Sequence, residues 1–188
     1  IREAVLLRAE HGAGAAELEV FFGDLESVGG RLHGGQALAR GLSLGRVLPH
    51  HQHAVGLGGA AADTAAQLVE LREAEALRVL DHHHRQLAAT YGEPLDRNGQ
   101  PQRLLIIGMG KLGGRELNVS SDVDYIFIYP EEGDTAGPKS IENYDFFTRL
   151  GKRVISALGE ITADGQVFRV DMRLRPNGDS GPLVCSLD

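Results

Sequence analysis

Two aspartates separated by one residue, Asp122 and Asp124, stand at the start of an apolar, β-rich run, Val123–Tyr129. In a strand, residues two apart project from the same face, so these two carboxylates should lie side by side. Carboxylates that close repel each other unless a cation binds between them. Mg²⁺ suits such hard oxygen ligands and takes phosphate oxygens as further ligands. The pair therefore predicts a magnesium site that handles phosphates.

A third carboxylate, Asp171, lies in the segment Gln166–Leu174, whose polar and apolar residues alternate as in a strand. Phosphoryl chemistry with two metal ions uses a further carboxylate, and Asp171 would supply it if its strand lies beside Val123–Tyr129. The simpler alternative is that Asp171 pairs with Arg169 or Arg173. The alternation assigns the side chains to two faces: Phe168, Val170, Met172 and Leu174 on one; Val167, Arg169, Asp171 and Arg173 on the other.

Between the predicted strand Arg103–Ile107 and these aspartates runs Gly108-Met-Gly-Lys-Leu-Gly113, which matches the G-x-G-x-x-G pattern of dinucleotide-binding βαβ units. A βαβ unit needs a crossover helix of roughly ten or more residues, and only Gly114–Ser121 is available here. We favour a glycine turn in which the backbone N–H groups of Gly113 and Gly114 bind phosphate. Lys111 either adds a positive charge there or is a solvated loop lysine.

Three further residues are candidates for phosphate binding. Ser121 either hydrogen-bonds a phosphate or closes the turn before Asp122, and we favour the phosphate. Arg173 shares a strand face with Asp171 and is expected to bind phosphate through its forked guanidinium. Arg175 either does the same or ends the strand. The predicted site thus has Asp122, Asp124 and Asp171 as metal ligands, flanked by a phosphate-binding set: Lys111, Gly113, Gly114, Ser121, Arg173 and Arg175.

The elements that must position these residues divide the chain in two. Residues 1–95 are predicted to be a helical N-terminal segment, and residues 96–188 the catalytic core. Short helices are expected around Arg2–Glu10 and Ala15–Phe22, although residues 1–60 are rich in glycine and alanine and show no clear core. The stretch Ala60–Tyr91 is predicted to be an amphipathic helix, from apolar residues that recur every three positions: Ala65, Leu68, Leu71, Ala74, Leu77 and Leu80. Its His82-His83-His84 run is expected to be solvated.

In the core, Ile141 to about Leu158 is predicted to be helical, with Phe147, Leu150, Val154, Ile155 and Leu158 on one face, and Leu183–Leu187 begins a last element.

The chain has 188 residues, a formal net charge of −7 and one cysteine. The charge argues against general nucleic-acid binding, and one cysteine allows no internal disulfide. We find no membrane span, and expect a cytoplasmic protein. An initial Ile1 and a last residue just after an apolar run indicate a fragment.

Taken together, a glycine turn, an Asp-x-Asp strand and an acid in a later strand form the pattern of the polymerase-β-like nucleotidyltransferases. Two long segments, Gly108–Phe127 and Val170–Leu183, more specifically resemble the glutamine-synthetase adenylyltransferase family. The resemblance extends over about Asp81 to Leu187 and leaves out residues 1 to about 60. It implies an α+β fold, a polymerase-β-like nucleotidyltransferase core with a short mixed sheet and helices, preceded by a helical segment.

The family adds AMP to a tyrosine of glutamine synthetase and removes it, using two related nucleotidyltransferase domains. Three segments resemble its N-terminal, adenylyl-removing domain: Glu116–Ser121, Phe146–Leu150, and Asp171-Met172 followed by Ser180–Leu183. The resemblance implies Mg²⁺-dependent phosphorolysis, in which phosphate releases ADP and free tyrosine. It also implies ATP or ADP as nucleotide, glutamine synthetase as protein substrate and control by the PII signal protein. Adenylylation of glutamine synthetase with ATP and a non-catalytic nucleotide-sensing module stay open as alternatives.

Overall fold

The computed structural model describes residues 60–188 apart from residue 164, together with the backbone of three earlier strands. Those strands are β1 (Ala4–Ala9), β2 (Leu18–Gly23) and β3 (Ser43–Leu44). The other elements in chain order are α1 (Ala60–Tyr91), β4 (Leu105–Met109), α2 (Gly110–Gly113), β5 (Val123–Tyr129), α3 (Asn143–Gly159), β6 (Val170–Asp171) and β7 (Val184–Ser186). A 3₁₀ turn, Gly178–Ser180, lies between β6 and β7.

The strands form one mixed sheet in the order β3-β2-β1-β4-β5-β6, with β7 also paired to β5. Strand β5 pairs antiparallel with β4 along one edge. Along its other edge it pairs in parallel with two short strands, first with β6 at Val123–Asp124 and then with β7 at Phe127–Tyr129. The described residues thus contain helices and a mixed sheet, which confirms the predicted α+β fold class.

Helices α1 and α3 pack against each other and against the sheet, and the aromatic side chains of β5 lie in the core between these layers. The predicted helix Ala60–Tyr91 is confirmed, but its assumed spacing of three is wrong, because Leu71 is 51% exposed. Three residues turn an α-helix by only 300°, so such a row drifts off one face. The buried face follows the true helical period: Val69, Glu73, Ala76, Leu77, Leu80, His84 and Leu87.

Two sequence-based predictions near the N-terminus are wrong. The segments expected to form short helices around Arg2–Glu10 and Ala15–Phe22 contain strands β1 and β2, which pair with each other. Strand β1 also pairs with β4, and so covers an edge whose N–H and C=O groups would otherwise be unpaired. Short apolar runs suit helix and strand equally, so pairing along the sheet decides between them. The proposed division into residues 1–95 and 96–188 stays a prediction.

The predicted strand Gln166–Leu174 is much shorter than its alternating pattern suggested, because β6 contains only Val170 and Asp171. The Asp171 carboxylate accepts a hydrogen bond from the backbone N–H of Arg173, which turns the chain out of the extended conformation. Asn177 and Gly178, both with positive φ, continue that turn. The alternation correctly identified Phe168 and Met172 as buried but not Leu174, which is 43% exposed.

Candidate functional site

The glycine motif forms a tight connection between two antiparallel strands. Helix α2 is a single turn, and its Gly114 N–H donates to the Gly110 carbonyl at 2.9 Å. Because β4 and β5 run antiparallel, they cannot belong to the parallel βαβ unit of a dinucleotide site, which confirms the rejection of that interpretation. Gly113 is buried, Gly114 is half-buried and Lys111 is exposed at the surface of the turn. Their contact with phosphate stays a prediction.

Two of the three candidate carboxylates are direct neighbours in the sheet. Asp124 on β5 and Asp171 on β6 are register partners of adjacent parallel strands, so their side chains leave the sheet on the same face. Asp122 precedes β5 by one residue and is exposed, whereas Val123 between the two aspartates is completely buried. This alternation places Asp122 and Asp124 on the side of β5 away from Val123, as their spacing predicted.

Gly110 is a site residue that the sequence analysis assigned no role. Its φ of +57° is in the left-handed region. A Cβ on Gly110 would lie 2.6 Å from Oδ2 of Asp124, closer than side-chain atoms pack. Glycine at this position therefore allows the chain to pass directly beside the Asp124 carboxylate. The available signal was the second glycine of Gly108-Met-Gly110, which follows the strand that pairs with Asp124.

Two arginines neutralise the charges of the Asp122 and Asp171 carboxylates. Nη2 of Arg169 lies 2.5 Å from Oδ1 of Asp122, and the Arg173 side chain donates three hydrogen bonds to the Asp171 carboxylate, two from Nε and one from Nη2. These hydrogen bonds hold the pKa of Asp171 below its usual range. Asp124 is different, because burial raises its pKa and the neighbouring charge of Asp171 raises it further. The site therefore concentrates negative charge at Asp124.

The three carboxylates can be compared with the set of ligands that a divalent cation needs. The raised pKa of Asp124, beside the neighbouring charge of Asp171, marks the point where a cation would relieve the charge of adjacent carboxylates. Within the described part of the chain, no three His, Cys, Asp or Glu side chains are gathered closely enough to hold an ion as they stand. The oxygen donors of Asp124 and Asp171 fit Mg²⁺. Asp122 and Asp171 are each paired with an arginine, so an ion can bind them only as Arg169 and Arg173 give up contacts to these carboxylates.

The other predicted phosphate ligands differ in how free their side chains are. Ser121 donates to Oδ1 of Asn118 at 2.8 Å, and so closes the turn that leads to Asp122. Arg175 is 13% exposed and donates to the Met172 carbonyl at 2.7 Å. Arg173 is 74% exposed beside Asp171 and extends from the same surface. Of these three residues, Arg173 is the one positioned to reach a bound anion without rearrangement of the turns.

A groove of about 570 Å³ adjoins the carboxylates on the β6 side. Asp122, Arg169 and Asp171 line it, together with Ile155 near the end of helix α3 and Met172 after β6. No sequence pattern indicated this groove, because it arises where the second half of α3 lies beside β6. Its mixed polar and apolar lining could accommodate part of a substrate next to the carboxylates.

One prediction about the histidine run of α1 is wrong. His84 is buried rather than solvated, and its Nε2 lies 2.9 Å from Oε2 of Glu93. On the true helical period, His84 follows Leu77 and Leu80 onto the buried face, whereas His82 is exposed. The three side chains thus point in different directions, as expected for consecutive helical residues.

None of the helices in the described part of the chain has the length and apolar character needed to cross a membrane.

Comparison with known proteins shows which family this sequence matches. A family model described as glutamate-ammonia ligase adenylyltransferase matches residues 54–188. The chain is 71% identical over 102 residues to the bifunctional glutamine synthetase adenylyltransferase/adenylyl-removing enzyme of Aromatoleum aromaticum, covering 54% of this chain and 11% of that protein. It is 57% identical over 128 residues to the protein of the same name from Burkholderia mallei, covering 67% of this chain and 14% of that protein.

The matched region contains β4 to β7, and therefore the glycine turn, the three aspartates and the arginines beside them. The chain spans between 11% and 14% of the length of these two relatives. Because the family model matches residues 54–188 of the 188, the chain belongs to the glutamate-ammonia ligase adenylyltransferase family.

Proposed function

We propose that this chain carries the site that removes AMP from an adenylylated tyrosine of glutamine synthetase by phosphorolysis, giving ADP. The observation that carries the proposal is the register pairing of Asp124 with Asp171 on adjacent parallel strands, beside the glycine turn. The relatives are named for both adenylyl transfer and adenylyl removal. The segments Glu116–Ser121 and Ser180–Leu183, which resemble the adenylyl-removing domain, favour the second activity for this chain.

In this reaction an oxygen of inorganic phosphate attacks the phosphorus of the AMP–tyrosine diester. A new P–O bond forms, the bond from phosphorus to the tyrosine oxygen breaks, and the tyrosine oxygen takes up a proton. Mg²⁺, held by Asp122, Asp124 and Asp171, would neutralise the charge on the reacting phosphates. Arg173, which is mostly exposed, would bind and orient the incoming phosphate through its forked donors. Lys111 would add positive charge from the glycine turn.

The partners follow from this reaction. Adenylylated glutamine synthetase is the protein substrate, phosphate the second substrate and ADP the product, and the proposed place of the reaction is the cytoplasm. Adenylylation with ATP is the second candidate, because the relatives' names include it and the same carboxylates would serve both directions. Control by the PII signal protein belongs to the proposal as well.

The test is an assay of ADP release from adenylylated glutamine synthetase in the presence of phosphate and Mg²⁺. We expect Asp124→Asn and Asp171→Asn to reduce the rate at least about a hundredfold, because loss of metal binding costs several kcal/mol of transition-state stabilisation. Asp145→Asn is the matched control, since it neutralises an exposed aspartate in the first turn of α3.

Three outcomes decide between the interpretations. ADP release that depends on Asp124 and Asp171, with Asp145→Asn unaffected, supports removal of AMP. Transfer of AMP from ATP to unmodified glutamine synthetase without ADP release from the adenylylated form would reverse the direction. Metal-independent nucleotide binding with no transfer in either direction would replace the enzyme with a nucleotide-sensing module.

A further inference from the structure

Arg169 links two strands of the site by contacts that the proposed chemistry does not use. Its guanidinium pairs with the Asp122 carboxylate at 2.5 Å and also donates to the Ser120 carbonyl at 3.2 Å. Both partners belong to the segment that enters β5, whereas Arg169 itself immediately precedes β6. The backbone carbonyl of Arg169 accepts from the N–H of Val123 at 2.9 Å, so the two segments are held together by main chain and side chain alike.

Arg169 and Arg173 lie two residues either side of Asp171 but compensate different carboxylates. Arg173 folds back onto Asp171, whereas Arg169 extends across to Asp122 on the neighbouring segment. Asp124 is the register partner of Asp171 and follows Asp122 by two residues, so it adjoins both ion pairs. An ion that binds at Asp124 would therefore find Asp122 already paired with Arg169, and Asp171 already paired with Arg173.

We propose that Arg169 is an exchangeable counter-ion. It holds Asp122 while the metal site is empty, releases that carboxylate to an arriving divalent cation, and then binds the phosphate group that accompanies the cation. The Arg169 side chain is 64% exposed and that of Asp122 is 43% exposed, so the pair is accessible to solvent and can separate. Solvent-exposed ion pairs stabilise a protein only weakly, so binding of a divalent cation can outweigh the pair.

The groove beside the carboxylates is where the released Arg169 guanidinium would bind phosphate. Arg169 lines the groove of about 570 Å³ together with Asp122 and Asp171, so a phosphate bound beside these carboxylates would lie in the same groove as the arginine. A guanidinium matches the geometry of phosphate oxygens with two parallel N–H donors, which a lysine at this position would not. Arg169 is therefore a positioning residue for Asp122 in the empty site and a phosphate ligand in the filled one.

This inference rests on the proposed metal-dependent function, so its test measures binding rather than turnover. The binding of Mn²⁺, as a substitute for Mg²⁺, is measured by titration calorimetry for the unmodified protein and for Arg169→Gln. Without the competing guanidinium we expect Mn²⁺ to bind about two- to fivefold more tightly. In saturating Mn²⁺, we expect ADP to bind about tenfold more weakly, because a charge-assisted hydrogen bond to phosphate is lost.

Two further variants separate Arg169 from general effects. Arg97→Gln is the matched control, because Arg97 is 67% exposed and forms a similar ion pair with Asp188 at 2.6 Å, away from the site. It should change neither affinity. Arg169→Lys keeps the charge without the fork, and should bind Mn²⁺ about as the unmodified protein does but ADP more weakly.

Several results would overturn the inference. Equal or weaker Mn²⁺ binding by Arg169→Gln would mean that Arg169 does not compete with the metal for Asp122. Unchanged ADP binding by that variant would mean that the released arginine does not reach phosphate. If the unmodified protein bound no Mn²⁺ at all, the proposed metal-dependent function would fail together with the inference, whereas the first two results leave that function intact.

Discussion

At one end of strand β5, Val123 and Asp124 pair with a two-residue strand, and Asp124 faces two other carboxylates. At the opposite end, Phe127–Tyr129 pair with β7, and the Tyr129 ring stacks on Phe147 with 5.0 Å between centroids. The first end is held by arginine–carboxylate pairs that solvent can reach, the second by completely buried aromatic rings. One strand thus joins an adaptable, charged site to a rigid apolar support.

The difference shows where each kind of substitution should act. At the apolar end, lost side-chain volume cannot be replaced by water or by neighbours, so stability should fall. At the charged end, an aspartate or arginine can be replaced by a neutral polar residue with little effect on folding, whereas ion and phosphate binding should change. Three variants, from the largest expected effect to the smallest, test this division.

Phe147→Ala should cause the largest loss of stability. Phe147 is completely buried between Tyr129 and Phe146, so truncation to alanine would remove two ring contacts and leave a cavity. We expect the free energy of unfolding to fall by about 3–5 kcal/mol, measured by urea denaturation. Val119→Ala, at a residue that is 73% exposed near the charged end, should change it by less than about 0.5 kcal/mol. Equal losses in the two variants would contradict the division.

Residue type and spacing predicted much of this architecture. The apolar run of β5, the helical period of α3 and the same-face placement of Asp122 and Asp124 are local properties, and the structure agrees with each. Pairing partners are not local. The segments expected to be helical near the N-terminus form the strands β1 and β2, because β1 pairs with the free edge of β4 and β2 pairs with β1.

Side-chain contacts in the site also depend on how separate segments pair, which the sequence pattern does not show. The alternating pattern placed Arg169 on the face of Asp171 but could not show that it crosses to Asp122, since that depends on how the β5 and β6 segments approach each other. The close passage of Gly110 by Asp124 likewise needs the register of β4 against β5. Burial of His84 required the correct helical phase of α1, which the leucines at multiples of three obscured.

Glu73→Gln should remove a pH dependence that originates on the α1 side of β5. Glu73 is 1% exposed, and burial raises its pKa to about 7, with Arg115 opposing the shift and Glu70 adding to it. Tyr125, between the two ends of β5, faces the same buried carboxyl group, and burial raises its pKa as well. At neutral pH the protein must therefore either keep a proton on Glu73 or bury its charge.

The sign of the effect follows from the two states of Glu73. Between its ordinary pKa of 4.5 and about 7, the folded protein holds a proton that the unfolded chain has released. The stabilising contribution is complete below pH 4.5 and is lost as the pH rises through 7. Relative to Glu73→Gln, the unmodified protein should lose on the order of 3 kcal/mol over this range, measured by urea denaturation at several pH values. Glu160→Gln, at an exposed position, is the control and should retain the full dependence.

Gly110→Ala should have the smallest effect on stability but a specific effect at the charged end. Gly99→Ala is its matched control, because Gly99 also has a positive φ, +77°, but no atom lies within 4 Å of the position that its Cβ would take. Both variants should lose about 1 kcal/mol in the free energy of unfolding, from backbone strain alone.

In Gly110→Ala the new methyl group must also displace the Asp124 carboxylate, whose Oδ2 would lie 2.6 Å away. We therefore expect Mn²⁺ to bind about tenfold more weakly to Gly110→Ala and unchanged to Gly99→Ala. If both variants bound Mn²⁺ normally, the close passage of Gly110 would serve only the turn, and the charged end of β5 would tolerate more movement at Asp124 than its crowding indicates.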